Sequence, residues 1–325
     1  MPDTSLFSGS ELCVVGAICR DVKTAPLPAG DYLLHDGETS IDGVFETIGG
    51  GGANSAAMAA NLGAKATFAG IVGDDELGQR LRQALEQSGV RCFLHSAPDL
   101  ATGTTVNLVY ASGERHFLSC HPNNAALAFE QIDLRALTGR HLLRADVWFA
   151  EPMLYGGNER LFQEARRRGM TISLDLNWDP RWGHAPAEEI ARRKDAVRHV
   201  LPLVNLAHGN VRELCAFADA PNLETALQKL DNWGVGAVVV HQGAQGAGYF
   251  AAGELVNRPP TPVTKRLIAT GTGDVLSVCM MLLYDRTDMT TTEKLDLANK
   301  IVADFMEGRQ RLIPVLDGAR ANRRP

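Results

Sequence analysis

The feature that most constrains this chain is a repeated alternation of short apolar runs with longer amphipathic stretches. Apolar runs of this length predict buried strands, and the stretches between them predict helices. Because parallel strands need helical crossovers, the alternation predicts an α/β fold whose mostly parallel sheet is covered on both faces. The predicted strands are Leu12–Ala17, Ala66–Val72, Val147–Ala150, Thr171–Leu176, Leu201–Leu206 and Ala237–His241. The predicted helices include Gly78–Ser88, Asn158–Arg168 and Asn222–Trp233.

Two stretches, Val22–Thr47 and Thr104–Leu118, break this rhythm. They alternate apolar with polar residues and carry turn signals such as Ser112-Gly113, which is typical of antiparallel strands outside the main sheet. The chain has no repeat, no low-complexity linker and no clear domain boundary. We therefore expect residues 1–325 to form a single domain.

The tetrapeptide Gly271-Thr272-Gly273-Asp274 precedes the apolar run Val275–Leu283, which is typical of a buried helix. Glycines at this place can bring backbone N–H groups to a helix N-terminus, where they favour an anion. An aspartate in the same turn can accept a proton from an alcohol that attacks a phosphoryl group. It can also act simply as a first-turn acid that stabilises the helix dipole, and the tetrapeptide alone favours that simpler interpretation.

A second glycine segment lies near the other end of the chain. Gly49–Gly52 are followed by small helix-forming residues, with Asn54 near the start of the expected helix. This pattern indicates a loop entering a tightly packed helix, where Asn54 either caps the helix or reaches a ligand. Taken alone, the glycines are also compatible with a flexible turn.

Together, and in this order, the two glycine segments resemble the paired signatures of the ribokinase-like (PfkB) family of carbohydrate and nucleoside kinases. Four further segments resemble family motifs in the expected order: Val14–Asp21, Ile71–Gly78 (V-G-x-D-x-x-G), Asn210–Glu213 (N-x-x-E) and Val240–Gly246. The resemblance implies a three-layer α/β/α fold with a mostly parallel central sheet. It also implies a small β-sheet lid over the sugar, formed here by about residues 22–47 and 104–118.

The resemblance implies a substrate site at one end of the fold. Asp21 and Asn54 would bind sugar hydroxyls, and Gly49 and Gly50 would let the backbone approach the substrate. Glu151 occupies a position where family members often place another hydroxyl ligand. In an open parallel sheet, ligands bind beyond the carboxyl ends of the strands. Asp21, Glu151, Asp175, Asn177, Asn210 and Gly243 all follow predicted strands, so we expect them to converge, although Asp21 without the neighbouring motif is more typical of a strand-end turn.

The resemblance also implies a nucleotide site and a reaction. Gly243 and Gly246 would admit ATP close to the backbone, Asn299 would line the adenine pocket, and Asn210 and Glu213 would act through water on Mg²⁺. Asp274 would be the base for transfer of the γ-phosphoryl group to a hydroxymethyl group of a monosaccharide or related substrate. The backbone N–H groups of Gly271, Thr272 and Gly273 would stabilise the charge on that group.

The sequence is also compatible, to different degrees, with three other functional classes. A nucleoside kinase of the same family and a catalytically silent sugar- or nucleotide-binding member stay open, although the intact Asp274 argues against a silent protein. A dinucleotide-dependent oxidoreductase is disfavoured because no G-x-G-x-x-G follows the first strand. The chain also lacks the G-x-x-x-x-G-K-[ST] motif of P-loop kinases.

The sequence departs from the family pattern at three places. The pair Ile268-Ala269 replaces an aspartate and threonine that often help to hold a monovalent cation, so we expect little activation by potassium. Gly51 replaces a lysine that is often found inside the glycine signature. Asp175, Asn177 and Arg181 resemble the D-x-N-x-R segment of some relatives, but the arginine falls two positions late and does not identify the substrate.

Composition limits the possible partners and the location. The net charge of −6 argues against a nucleic-acid surface, which needs concentrated lysine and arginine. The six cysteines form no C-x-x-C pair and are typical of reduced thiols. Neither a basic and then apolar leader nor a membrane-length apolar segment is present, so we predict a cytoplasmic protein without membrane contact.

The lid segments also predict a homodimer. A small projecting sheet leaves one face and its edges uncovered, and isolated small sheets are only marginally stable. Apolar residues that could cover this face are Leu33, Leu34, Val44, Phe45, Val106, Leu108 and Phe117. The alternative is a monomer whose lid closes over the substrate.

Overall fold

The computed structural model describes residues 7–28, 30, 33, 35–112, 114–264, 271–310 and 313–316. The strands are β1 (Glu11–Val15), β2 (Cys19–Thr24), β3 (Val44–Gly49), β4 (Lys65–Gly73), β5 (Arg91–Ala97), β6 (Thr104–Val109), β7 (Arg115–Cys120), β8 (His141–Arg144), β9 (Thr171–Asp175), β10 (Leu206–Asn210), β11 (Val238–His241), β12 (Ala247–Ala251) and β13 (Glu254–Arg258). The α-helices are α1 (Gly51–Asn61), α2 (Glu76–Gln87), α3 (Pro122–Ala126), α4 (Asn158–Arg167), α5 (Ala187–Val200), α6 (Val211–Ala218), α7 (Leu223–Asn232), α8 (Thr272–Leu282) and α9 (Thr291–Met306).

The large sheet has nine strands in the order β13-β12-β11-β10-β9-β8-β1-β4-β5. From β11 to β5 all neighbours pair in parallel, and β12 and β13 add an antiparallel edge. Alternate residues of β1 enter two separate cores: Cys13 and Val15 face the helices α4 to α7, whereas Leu12 and Val14 face α1, α2, α8 and α9. The predicted three-layer α/β/α architecture is confirmed.

Two predicted strands are wrong. Val147–Ala150 forms a turn, because Asp146 has a left-handed backbone (φ 55°), and the strand is instead His141–Arg144. The sequence analysis missed β8 because the strand begins and ends with a polar residue. Arg144 is nevertheless fully buried, and its Nε donates a hydrogen bond to Asn158 (2.8 Å). In the predicted strand Leu201–Leu206, Pro202 lies in a short 3₁₀ turn over Leu201–Leu203, and the strand begins only at Leu206.

A separate four-stranded sheet has the order β3-β2-β6-β7, and we call it the small sheet. It confirms the strands expected outside the main sheet, but its central pair, β2 and β6, is parallel rather than antiparallel. Asp21 lies inside β2, so the prediction that it follows the first strand of the main sheet is wrong. Between β2 and β3 the described residues contain an isolated bridge from Leu27 to Tyr110 and no further strand.

The two faces of the small sheet differ in burial. Cys19, Asp21, Thr105 and Asn107 are buried on one side, which we call the buried face, whereas Leu118 on the outer face is 53% exposed. Among the apolar residues predicted to be covered by a partner, Val44, Val106 and Leu108 alternate onto the outer face. Phe45 and Phe117 fall on the buried face by register and are exposed, as is Leu33. Leu34 lies outside the described residues, and the homodimer stays a prediction.

Two further observations concern the predicted location. All six cysteines are free thiols. Among the described residues, no helix combines the length and the apolar character that a membrane span requires.

Candidate functional site

The glycine tetrapeptide opens α8 as predicted. Gly271 caps the helix in a left-handed conformation (φ 86°), and the helix begins at Thr272 with Asp274 in its first turn. The first N–H groups of a helix have no partner inside it, so this turn presents free donors. A Cβ atom at Gly273 would lie 3.0 Å from Nδ1 of His241, which explains the second glycine.

A cavity of about 540 Å³ lies beside this helix terminus. Six residues predicted for the nucleotide or the transferring phosphoryl group line it: Asn210, Gly243, Gly246, Thr272, Gly273 and Asn299. Most of its other lining is apolar and includes Val302 and Met306. The structure therefore brings together backbone donors, amide side chains and an apolar wall, an arrangement suited to a ligand with both a phosphate chain and a flat apolar ring.

The polar side chains around this cavity are held in place by hydrogen bonds. The N–H of Glu213 donates to the side chain of Asn210 (2.9 Å), and the N–H of Asn210 donates to the carboxylate of Glu213 (2.8 Å). This reciprocal cap fixes both residues at the start of α6. The Asn299 amide donates to the carbonyl of Pro259 (2.9 Å), which leaves its carbonyl oxygen as an acceptor.

His241 also lines this cavity, which we call the nucleotide cavity after its predicted ligand. The sequence analysis missed this residue. Its Nε2 shares a hydrogen bond of 3.2 Å with Oγ of Ser277, and burial lowers the pKa of His241 to about 4. The imidazole is thus neutral near pH 7 and packs against Gly273 without adding a charge. Its position directly before the glycine loop, at the end of a buried strand, was the available sequence signal.

Close packing explains the glycines at the other end of the site. A Cβ atom at Gly49 would lie 2.1 Å from Oδ1 of Asp21, and one at Gly50 would lie 2.4 Å from the carbonyl of Ala17. Gly50 also has a left-handed backbone (φ 88°). Gly49 therefore makes room for the carboxylate of Asp21, which is predicted to bind the substrate. Gly50 allows α1 to start beside β1.

Asp146 is a second residue that the sequence analysis missed. Its carboxylate accepts hydrogen bonds from the N–H groups of Gly52 (2.8 Å), Ala17 (3.0 Å) and Gly51 (3.2 Å). These donors belong to the N-terminus of α1 and to the segment after β1, so Asp146 holds the glycine signature against the main sheet. The misplaced strand at Val147–Ala150 concealed this role.

Several buried polar atoms at the predicted substrate end have no hydrogen-bond partner within the described residues. They are Oδ1 of Asn54, both amide atoms of Asn107, Oγ1 of Thr47 and Nδ1 of His121. Buried polar atoms in folded proteins are normally paired, with protein, water or ligand. A polyhydroxylated ligand would supply such partners.

Carboxylates from both ends of the site influence Asp274. Burial, together with the charges of Asp146, Glu213 and Asp21, raises the pKa of Asp274 from 3.8 to about 8. Burial and the charges of Asp274 and Glu213 also raise the pKa of Asp175 well above its usual value. A raised carboxyl pKa is typical of a group that exchanges protons near neutral pH.

Other residues named in the sequence analysis do not line the cavity beside α8. Glu151 does not follow a strand; it is exposed and pairs with Arg193 (3.4 Å) and Arg181 (3.8 Å) in a separate groove. Arg181 also pairs with Glu189 (2.8 Å), whereas Asp175 and Asn177 stay together at the end of β9. Ile268 and Ala269, on which the potassium prediction depends, lie outside the described residues.

A family profile described as pfkB family carbohydrate kinase matches residues 10–300 of this chain. The chain belongs to this family. It is therefore a kinase that transfers a phosphoryl group to an alcohol, as expected from the two glycine signatures and the motifs between them.

Individual relatives differ in substrate. The chain is 27% identical to probable fructokinase-7 of Arabidopsis thaliana, over 85% of this chain and 84% of the relative. It is 29% identical to aminoimidazole riboside kinase of Salmonella typhimurium, over 78% and 80% of the two chains. The structure of Arabidopsis thaliana ribokinase complexed with ribose and ATP superimposes with a TM-score of 0.73 at 19% identity and covers 93% of this chain and 94% of that chain, which supports the fold.

Proposed function

We propose that this protein is an ATP-dependent sugar kinase that phosphorylates a hydroxymethyl group of a monosaccharide or related substrate, with Asp274 as the base. The observation that carries the proposal is the position of Asp274. It lies in the first turn of α8, beside the nucleotide cavity, and its pKa responds both to Glu213 and to Asp21. A proton acceptor at that junction can serve a hydroxyl held at one end and a phosphoryl group held at the other.

In the proposed reaction the substrate hydroxyl donates a hydrogen bond to Asp274. As the hydroxyl oxygen bonds to the γ-phosphorus of ATP, the bond from that phosphorus to the bridging oxygen breaks, and the hydroxyl proton passes to Asp274. The backbone N–H groups of Gly271, Thr272 and Gly273 stabilise the negative charge of the transferring group. Comparable donors in other enzymes contribute about 3 kcal/mol each to the transition state.

The residues present fit a magnesium ion held through water. One oxygen of Glu213 accepts the N–H of Asn210, which leaves the other available to a hydrated cation. Burial raises the pKa of Glu213, and the charge of Glu213 adds to the raised pKa of Asp274, so a cation there would relieve unfavourable charge. When bound, Mg²⁺ neutralises phosphate charge, and we expect turnover to require it. A cytoplasmic location, where thiols such as these six stay reduced, is part of the proposal.

A riboside is the second candidate substrate. The similarity to aminoimidazole riboside kinase favours it, and so do Phe45 and Phe117, two exposed aromatic rings that fall on the buried face of the small sheet. Such rings can stack on a flat base. A panel that contains both free sugars and ribosides separates the two candidates.

The test is ADP release measured with ATP and Mg²⁺ over that panel, in the wild type and in Asp274→Asn. We expect the substitution to lower kcat by about 10³-fold while ATP binding, measured by calorimetry, is retained. Asp231→Asn removes an exposed carboxyl on α7 and is the matched control. Near-wild-type turnover of Asp274→Asn would rule out this residue as the base, and ligand binding without any turnover would indicate a silent family member.

A further inference from the structure

The buried face of the small sheet carries a basic residue that the proposed mechanism does not use. Lys23 follows Asp21 by two residues on β2, so both side chains lie on the same face. Only 23% of the Lys23 side chain is exposed. Its Nζ lies 3.9 Å from Oδ2 of Asp21, which is within ion-pair range but beyond a hydrogen bond.

Lys23 is poorly satisfied for a partly buried ammonium group. Within the described residues its Nζ makes no hydrogen bond, and burial lowers its pKa. The charge of Asp21 opposes this effect of burial, whereas the nearby positive charge of Arg115 adds to it. An ammonium group withdrawn from water is stable only when acceptors replace its hydration. If Lys23 served only to neutralise Asp21, a direct hydrogen bond between them would be expected.

Asn107 lies directly across from Lys23. The parallel register of β2 and β6 pairs Lys23 with Asn107, two residues along the strands from the pair Asp21 and Thr105. Asn107 is 2% exposed, and its amide makes no close hydrogen bond within the described residues, although it interacts with the Asp21 carboxylate and helps to lower the pKa of Asp21. Strands pair about 4.8 Å apart, so an ammonium and an amide N–H on facing residues can each reach one oxygen of the same acidic group.

The two rows of the buried face thus offer different chemistry. The row of Asp21 and Thr105 offers a carboxylate and a hydroxyl, which suit the hydroxyl groups of a sugar. The row of Lys23 and Asn107 offers donors to an anion. A neutral sugar offers Lys23 only uncharged hydroxyl oxygens, whereas an anionic group accepts the stronger, charge-assisted hydrogen bonds.

We propose that the substrate is a sugar with an anionic substituent, a carboxylate or a phosphate, which Lys23 and Asn107 bind on the facing strands β2 and β6. This inference rests on the proposed sugar kinase function and specifies its substrate class. Lys23 is the residue that sets specificity, and the hydroxymethyl group that is phosphorylated lies at the opposite end of the sugar, toward Asp274.

The test compares neutral with anionic sugars that share a free hydroxymethyl group: D-fructose, 2-keto-D-gluconate and D-fructose 1-phosphate. We expect the preferred anionic sugar to exceed D-fructose at least about 10-fold in kcat/KM, because hydrogen bonds to charged groups are the strong ones. Lys23→Met should lower kcat/KM for that sugar about 30-fold, mainly through KM, and lower it by a smaller factor for D-fructose, because Lys23 also lowers the pKa of Asp21. The preferred acid distinguishes a carboxylate from a phosphate.

Two further variants control for structural effects. Lys23→Arg keeps the charge and should recover part of the preference for the acid. Lys65→Met removes an exposed lysine that pairs with Glu11 on the large sheet, and it should behave as the wild type. Thermal melting and ATP binding measured on each variant show that the fold and the nucleotide end are intact.

The possible outcomes separate this inference from the proposed function. If the wild type phosphorylates D-fructose as well as the acids, and Lys23→Met keeps that ratio, the inference is overturned while the kinase function stands. If no probe is phosphorylated, the proposed function fails for this panel, and binding decides the inference. A thermal shift by 2-keto-D-gluconate in the wild type but not in Lys23→Met would then support it, and equal shifts would overturn it.

Discussion

The nucleotide end and the substrate end of this site are built in different ways. At the nucleotide end the polar side chains have partners inside the protein: Asn210 with Glu213, Asn299 with Pro259 and His241 with Ser277. At the substrate end, buried polar atoms of Asn54, Asn107, Thr47 and His121 have no hydrogen-bond partner among the described residues.

This difference follows from what each end binds. In the proposed function the phosphate chain is recognised by backbone N–H groups at the start of α8, so the side chains around it can satisfy one another before any ligand arrives. A sugar offers many hydroxyl groups and is recognised by side chains, which must keep donors and acceptors available. The nucleotide end is therefore pre-built, whereas the substrate end depends on its ligand for hydrogen bonds.

The comparison predicts that the glycine signature at the substrate end is sensitive to any side chain. Gly50→Ala places a Cβ atom 2.4 Å from the carbonyl of Ala17 and forces a left-handed alanine, so we expect it to lower the free energy of unfolding by on the order of 3 kcal/mol. Gly253→Ala is the matched control, since Gly253 is also left-handed (φ 79°) but has no neighbour within 4 Å of the added atom. Its expected cost is about 1 kcal/mol.

Urea unfolding of both variants measures the difference. Equal losses would mean that backbone conformation alone, rather than the contact with Ala17, explains Gly50. A large loss at Gly50 with unchanged ATP binding in the folded fraction would show that the two ends are structurally separable.

The sequence predicted the backbone of the site better than its side chains. Continuous apolar runs correctly predicted β1, β4 and β9, because a strand that is buried on both faces of a sheet is apolar on both faces. The same reasoning failed at Val147–Ala150, where the apolar residues are buried in a turn. Hydrophobicity reports burial, and only backbone conformation distinguishes a buried strand from a buried turn.

The sequence analysis missed residues at the substrate end for a different reason. Lys23 and Asn107 match no motif, and their importance comes from a parallel pairing between strands that are far apart in the sequence. The local signal that could have found Lys23 is period-two alternation, which puts it on the same face of a strand as Asp21. Asp146 likewise became visible only once its three N–H donors were brought together by the fold.

The outer face of the small sheet allows the predicted homodimer to be tested. We expect a homodimer through this face, since Leu118 and Val44 are large apolar side chains exposed on the same face of the small sheet, one on each edge strand. Leu118→Glu should then shift the mass measured by light scattering from twice 35.1 kDa to that of a single chain. Tyr155→Glu, at an exposed residue outside the small sheet, is the control. A wild-type mass of one chain, unchanged by sugar and nucleotide, would exclude the dimer.

The junction between the two ends of the site, where Asp274 lies, is expected to make stability depend on pH. Its pKa is raised from 3.8 to about 8, first by burial and then by neighbouring carboxylates. The unfolded chain therefore releases this proton near pH 4, whereas the folded chain keeps it until about pH 8. Between these values the folded state binds one more proton than the unfolded state, so this group lowers stability progressively as the pH rises.

Asp274→Asn removes that loss, because an amide does not ionise. We expect the variant to exceed the wild type in free energy of unfolding at pH 8, with a difference that shrinks toward pH 4.5 and levels off above about pH 8. Urea unfolding without nucleotide and Mg²⁺ measures it, and Asp231→Asn should follow the wild type at every pH. A pH-independent difference would mean that Asp274 ionises normally in the free protein, and the two ends of the site would then not be coupled through its charge. The predicted trend would instead show that the carboxyl of Asp274, the proposed base, destabilises the free protein until ligands at both ends compensate its charge.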